Sequence, residues 1–252
     1  TMWNAFISLM VNILLFIYQF VGENFGIAII LFTILIRLVL YPLNASQIKS
    51  TQKMQDMQKS KKWQDIQKKY KDDKEKLAQE QMKLYQEMGV NPFGSCLPTL
   101  LQFPIIIGLY QAIIRTLAVS PLQLVNLSKH ITGMADLIPI HSQFLWMDLS
   151  EPERVFVFGI GIPTLAIIVV ITTFLQSRLM TPPTTGQNDQ GAQMTKAMSM
   201  YMPIFMGWLA YQFSSGLALY FVVSNIATIV QYAAMGRLDW NNVIPERFKT
   251  SS

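Results

Sequence analysis

The stretch Phe25 to Leu43, FGIAIILFTILIRLVLYPL, decides the fold. As a helix rising ~1.5 Å per residue it is just long enough to cross a hydrocarbon core of about 30 Å, and a single arginine is its only charge. Arg37 is therefore an anomaly, because an arginine held at membrane depth costs roughly 2.5 kcal/mol or more.

Outward from that stretch, four further apolar runs have spanning length: Leu97 to Val119, Val155 to Leu179, Met198 to Phe213 and Leu217 to Met235. The chain of 252 residues is 51% apolar and only 14% charged, a composition that suits an all-α polytopic membrane protein better than a water-soluble domain. The reading by segment is an outer interfacial amphipathic helix at 1–24, a first span at 25–43, a cytosolic helical hairpin at 44–91, and a second span at 92–119. An outer connection follows at 120–154, then a third span at 155–179, a cytosolic loop at 180–197, a fourth span at 198–213, a fifth at 214–236 and a cytosolic tail at 237–252. In the opening segment Asn4, Ser8 and Asn12 recur every four residues as a polar stripe, which favours an interfacial helix over a sixth span. A secretory signal fits less well, since no basic start or small-residue cleavage site is visible.

Charge sets the orientation. Residues 44–91 carry eleven of the twenty Lys and Arg, whereas 120–154 carry only Lys129 and Arg154, so the positive-inside rule puts the hairpin in the cytosol. Five spans then leave the N-terminus outside and the C-terminus inside, the topology of a multi-pass membrane protein. Within the hairpin, Lys49 to Tyr70 is expected as one helix. A second helix is expected from an Asp72 cap, with Glu75 three residues on, to a stop at Gly89 and Pro92. Ile66, Tyr70, Leu77, Leu84 and Met88 would form its apolar seam.

None of the five spans contains Asp or Glu, so Arg37 has no carboxylate at its own depth. Snorkelling to the cytosolic surface is the plainer account of it. The sharper account starts from polar stripes. Thr33 precedes Arg37 by one turn; Ser95, Thr99 and Gln102 mark the second span, Thr172 and Gln176 the third, and Tyr220, Ser224 and Thr228 the fifth. Taken singly, each stripe is explained by helix–helix hydrogen bonding. Converging, they would enclose a hydrated groove around one positive charge. Pro104, Pro163 and Pro203 fall inside the runs and could kink them, or be tolerated between packed helices. Met194, Met198, Met202 and Met206 form a thioether stripe suited to apolar segments, although ordinary packing produces the same pattern. Trp208 could pack on such a segment or anchor at the interface.

Some chemistry is unsupported. The one cysteine, Cys96, excludes an internal disulfide, and there is no phosphate loop, no HExxH and no ligand cluster; His130 and His141 read as solvated loop residues. No cofactor, metal, catalytic residue or direct DNA binding is expected.

Three motifs carry a family likeness: NPFGSCLPTLLQFPII at Asn91 to Ile106, SGLALYFVVSN at Ser215 to Asn225, and IRLVLYPL at Ile36 to Leu43. Together they resemble the YidC family of membrane protein insertases, relatives of the mitochondrial oxidase-assembly insertase, over essentially the whole chain. The large outer domain of Gram-negative members has no counterpart between the first two hydrophobic segments, so the likeness is to the short Gram-positive type. It implies that Arg37 is the groove arginine and that Gln102 and Trp208 line the same groove.

On this reading the protein is an insertase and chaperone without nucleotide hydrolysis. Its groove is formed by Arg37, Thr33, Gln102, Thr99, Gln176, Trp208, Tyr220 and Ser224, with Met198, Met202 and Met206 as an apolar contact surface. The expected partners are nascent single-span and multi-span membrane proteins and the lipid bilayer. The hairpin is expected to dock a ribosome or targeting factors, and a protein translocation channel is a further working partner to consider. An anion channel selecting through Arg37, or a purely structural assembly subunit, remain the alternatives.

Overall fold

The computed structural model describes residues 2–71, 73–89, 97–117, 140–157, 160–180, 190–236 and 238. Its helices are α1 (Met2–Phe20), α2 (Phe25–Val39), α3 (Tyr41–Lys59), α4 (Lys61–Lys69), α5 (Lys74–Glu87), α6 (Leu97–Thr116), α7 (Thr164–Met180), α8 (Gln190–Gln212) and α9 (Ser215–Ala234). Two short antiparallel hairpins complete the described residues: β1 (Gln143–Phe144) with β2 (Met147–Asp148), and β3 (Val155–Val157) with β4 (Ile160–Ile162).

The helix over the deciding stretch is shorter than its apolar run. It stops at Val39, and the chain turns by 64° into α3. Pro42 explains the break, because it offers no N–H to the preceding turn and its ring would clash with the carbonyl four residues back; at the start of α3 neither matters. Tyr41 to Leu43 thus belong to the hairpin side of the bend.

The hairpin's first arm is also two helices rather than one. Ser60 interrupts it in extended conformation and caps α4 by accepting from the Trp63 N–H. The second arm is capped by Asp73 and not by Asp72, which lies outside the described residues. The Asp73 carboxylate accepts from the Lys76 N–H at 3.1 Å, and that bond holds its pKa below the usual carboxylate range. Gly89, in the left-handed region, ends the arm as expected. The seam is built on Met57, Trp63 and Leu84, with Met54, Ile66 and Tyr85 against them; Met88 is exposed.

The apolar run from Val155 is not one helix. Its first part forms β3 and β4, and Pro163 stands just before α7, where the helix has no bond for it to break. Pro104 and Pro203 do lie inside helices. At the start of α8, residues 190–197 are helical, not loop. Ser214, extended, makes the tight turn from α8 into α9.

By length and composition alone α1 and α9 can each cross a membrane, as can α2 and α3 if that bent pair is one span; α7 is a shorter apolar helix. Helix α1 buries Ile7, Met10, Val11, Leu14, Leu15 and Tyr18, with Asn4 exposed and Ser8 and Asn12 at the edge of that face. Helix α9 packs between α2 and α7, α7 against α8, and α1 against α2 and α6.

The main core has a position that matters for function. It takes Phe25 to Phe32 from the start of α2, Leu109 to Leu117 from the end of α6, Leu165 to Val169 from the start of α7, and Leu217 to Phe221 from the start of α9. All are at one end of the bundle. The β1–β2 hairpin caps that end: Gly216 donates to the Leu149 carbonyl and Ser215 to that of Glu151, which satisfies amides at the start of α9.

Candidate functional site: a polar cavity in the opposite half of the bundle

The halves of the helices not used by that core enclose a partly open cavity of about 340 Å³. Arg37 reaches it from the end of α2, Gln102 from the start of α6, Thr173 and Gln176 from the second half of α7, Met202 and Met206 from just past the middle of α8, and Ser224, Asn225, Thr228 and Gln231 from the middle and second half of α9. Antiparallel helices whose polar residues cluster at alternate ends produce this division into a sealed half and a wet half.

The Arg37 guanidinium, half-buried, donates to the Ser224 hydroxyl. Among the described residues the ion pairs are Lys62–Glu87, Lys76–Asp73 and Lys83–Glu80, all in the hairpin, so no carboxylate neutralises Arg37. Deeper in, Gln102 donates to the Tyr220 hydroxyl, and Tyr220 is buried where the cavity meets the core. Asn225 ties α9 to α7 by donating to Thr172 and Thr173.

Several lining amides carry an atom without a protein partner: Asn44 Nδ2, Gln47 Nε2, Gln176 Oε1 and Gln231 Oε1 are buried and unbonded among the described residues, while Gln231 Nε2 donates to the Arg37 carbonyl at 3.5 Å. Each such atom costs about 1–3 kcal/mol unless water or a polar ligand meets it. At ~30 Å³ per water the cavity has room for roughly ten, and the amides supply the several polar partners that ordered water needs. Among the described residues its lining is that of a polar chamber with one cation, offering donors and acceptors but no nucleophile–base pair.

Of the residues singled out in the sequence, Arg37, Gln102, Gln176, Ser224, Thr228, Met202 and Met206 line this cavity, with Tyr220 bonded to Gln102 at its inner limit. Thr33 is buried and returns its hydroxyl to the Ile29 carbonyl on its own helix. Trp208 is 55% exposed and stacks on Phe205, away from the cavity and on the outward face of α8 with Met200, Tyr201 and Ile204. The side chains of Thr99 and Met198 lie outside the described residues. Sequence reasoning missed Asn44, Gln47 and Thr51 on α3, and Gln231 on α9. Their spacing was readable: Gln231 continues the stripe of Ser224 and Thr228, and Asn44, Gln47 and Thr51 share one helical face.

The family model described as 60Kd inner membrane protein matches residues 16–241. The membrane protein insertase YidC of Oceanobacillus iheyensis is 39% identical over 216 residues, covering 83% of this chain and 73% of that protein. MisCA, a membrane protein insertase of Bacillus subtilis, is 38% identical over 224 residues, covering 87% and 73%. An active YidC insertase, solved as a crystal structure with its first transmembrane domain resolved, superposes with a TM-score of 0.58 at 27% identity. That match covers 93% of this chain but 46% of the other, so this chain spans less than half of that protein's length.

Proposed function

The chain belongs to the 60Kd inner membrane protein family, that of the YidC insertases, and from that premise we propose that it inserts and helps fold integral membrane proteins. The supporting observation is the pairing of an uncompensated guanidinium with unpartnered amides in one half of an otherwise apolar bundle. A polar tail entering from the cytosol would find hydration to half the membrane's depth. The hydrocarbon still to be crossed is then thinner, which lowers a barrier set by desolvation of several kcal/mol per unpaired polar group.

Arg37 attracts an acidic residue in the tail, more strongly than in water because the site is partly dehydrated. The hydroxyl of Ser224, a neutral partner, holds the guanidinium without neutralising it. An outside-positive potential then favours the exit of an acidic tail, and the apolar segment leaves sideways into lipid. No nucleotide is consumed.

In this reading α2, α6, α7, α8 and α9 are five spans, with the N-terminus outside and the hairpin and C-terminus in the cytosol. Helix α1 is the outer interfacial helix; its contacts run from Gly108, in the middle of α6, to Phe25 at the outer start of α2. The charged hairpin docks a ribosome or targeting factor, and a translocation channel is a working partner. An anion pore is disfavoured because Leu109, Ile113 and Leu217 close the other half of the bundle.

The test is a photocrosslinker at Gln102 in the purified protein, reconstituted alone and presented with a nascent single-span chain. Adducts to the polar tail, together with insertion and no added ion conductance, are expected. Absence of tail adducts, or conductance without insertion, would overturn the reading.

A further inference from the structure

The turn between β1 and β2 is chemically odd. Phe144 pairs with Met147, so Leu145 and Trp146 form a two-residue hairpin loop, and Leu145 sits at φ 54°. The first position of such a loop favours Gly, Asn or Asp, because a side chain with a Cβ is disfavoured in the left-handed region. Leucine there is costly, and it is not repaid by burial: Leu145 is 74% exposed and Trp146 57%. The neighbouring hairpin presents Phe156 at 73% exposure.

The β1–β2 turn and strand β3 are held firmly at the sealed end of the bundle. Phe144 lies against Gly26 at the start of α2, and Leu149 and Glu151 bond the start of α9. The Trp146 indole N–H donates to Glu153, whose carboxylate also accepts from the Thr164 hydroxyl and from the Leu165 N–H, capping α7. Arg154 lies over the Tyr211 ring at 5.2 Å, one residue before α8 ends. The β1–β2 turn and Phe156 of β3 thus stand at the level where the apolar helices begin and end. The helix surface next to them is itself apolar and exposed at Ile167, Ile171 and Tyr211.

We propose that Leu145, Trp146 and Phe156 form a membrane anchor that seats in the headgroup–acyl boundary of the phospholipid leaflet opposite the cavity mouth. The chemistry fits that boundary. Leucine and phenylalanine reach the upper acyl chains, the indole takes the interfacial position that tryptophan favours, and the exposed Arg154 meets lipid phosphate. Glu153 spends its charge on the α7 N-terminus and the indole, so it does not repel anionic headgroups. The anchor fixes the depth and tilt of the bundle, and it requires only a membrane-embedded chain, not the insertion mechanism.

The test uses the full chain with Cys96→Ser and either Leu145→Cys or Phe156→Cys, labelled with an environment-sensitive fluorophore and reconstituted in phosphatidylcholine–phosphatidylglycerol vesicles. Lys61→Cys on the charged hairpin is the water-exposed reference. Blue-shifted emission is expected from both labelled positions, quenched several-fold more by lipids brominated near the headgroup than by lipids brominated at the chain end. Emission matching Lys61→Cys without quenching overturns the proposal. So does shielding without lipid quenching that disappears when protein is diluted in lipid, which would identify a second copy as the occupant. Shielding found only in native membranes would identify a protein partner and overturn it equally. As a second arm, Leu145→Asn with Trp146→Ser keeps the turn foldable and should reduce quenching at Phe156→Cys; unchanged quenching removes the turn from the anchor.

Discussion

Arg37 and Ser224, on different helices and 187 residues apart in sequence, are joined by a hydrogen bond from guanidinium to hydroxyl. A neutral acceptor steadies the cation without cancelling it. Charge-assisted contacts are worth about 1.5–3 kcal/mol, so Arg37→Ala should lower insertion of substrates with acidic translocated tails by roughly ten- to a hundredfold. Arg37→Lys should keep most of the activity, and substrates with uncharged tails should respond least. Insertion yields in proteoliposomes check this, and equal loss in both variants would assign the residue a geometric role instead.

How far the sequence reveals this site depends on what each residue competes with. Arg37 stood out because it breaks an apolar run, and Gln102 and Ser224 because they recur at helical spacing among apolar neighbours. Asn44 and Gln47 did not stand out, since polar residues beyond Leu43 look like ordinary solvated hairpin; only the bend at Leu40 folds them back over the cavity. The run from Val155 to Ile162 misled for a different reason. Short apolar runs fit strand and helix alike, and Gly159, Gly161 and the β-branched residues around them were the signals favouring strands. Trp208 shows the limit of composition: the same ring suits a groove or a lipid-facing surface, and only its stacking on Phe205 and its exposure place it outward.

The cap over the sealed end rests on one close approach. A Cβ on Gly26 would clash with three ring atoms of Phe144, far inside van der Waals contact. Gly26→Ala should therefore cost about 1–3 kcal/mol by overpacking, and adding Phe144→Ala should recover part of the loss. Thermal unfolding in detergent measures both. Independent, additive losses would show that the two do not meet.

Acidification should loosen that cap through Asp148. Burial raises its pKa, but the bonds its carboxylate accepts from the hydroxyl and amide of Ser150, at 2.6 and 2.9 Å, and from the Ser142 side chain outweigh this and hold the pKa below the usual carboxylate range. A depressed value means that the ionised group's contribution is complete above the unfolded carboxylate range, about 3.9, and is lost as pH falls through the lower folded value. Protection of residues 142–151 from proteolysis should be flat from neutral pH down to about 5 and decline below about 4. Asp148→Asn should remove that decline; a decline that persists would assign it to another group.

Hydration of the cavity makes a prediction of opposite sign for stability and for activity. Among the described residues Gln47 Nε2 and Gln231 Oε1 are buried without protein partners, and Gln231 Nε2 donates only a long 3.5 Å bond to the Arg37 carbonyl, so a folded chain in a dry bilayer would be better off without them. Replacing both by leucine removes two desolvated polar groups at nearly constant volume, and stability should stay level or rise by about 1 kcal/mol. The same change takes away polar partners that hold water beside Arg37, so the path offered to a polar tail becomes longer and drier. Insertion should then fall several-fold while the unfolding temperature holds or increases, the pattern of a site that trades stability for function. Both quantities can be read on one purified preparation. If the double variant inserts as well as the parent, water in this cavity is not what lowers the barrier.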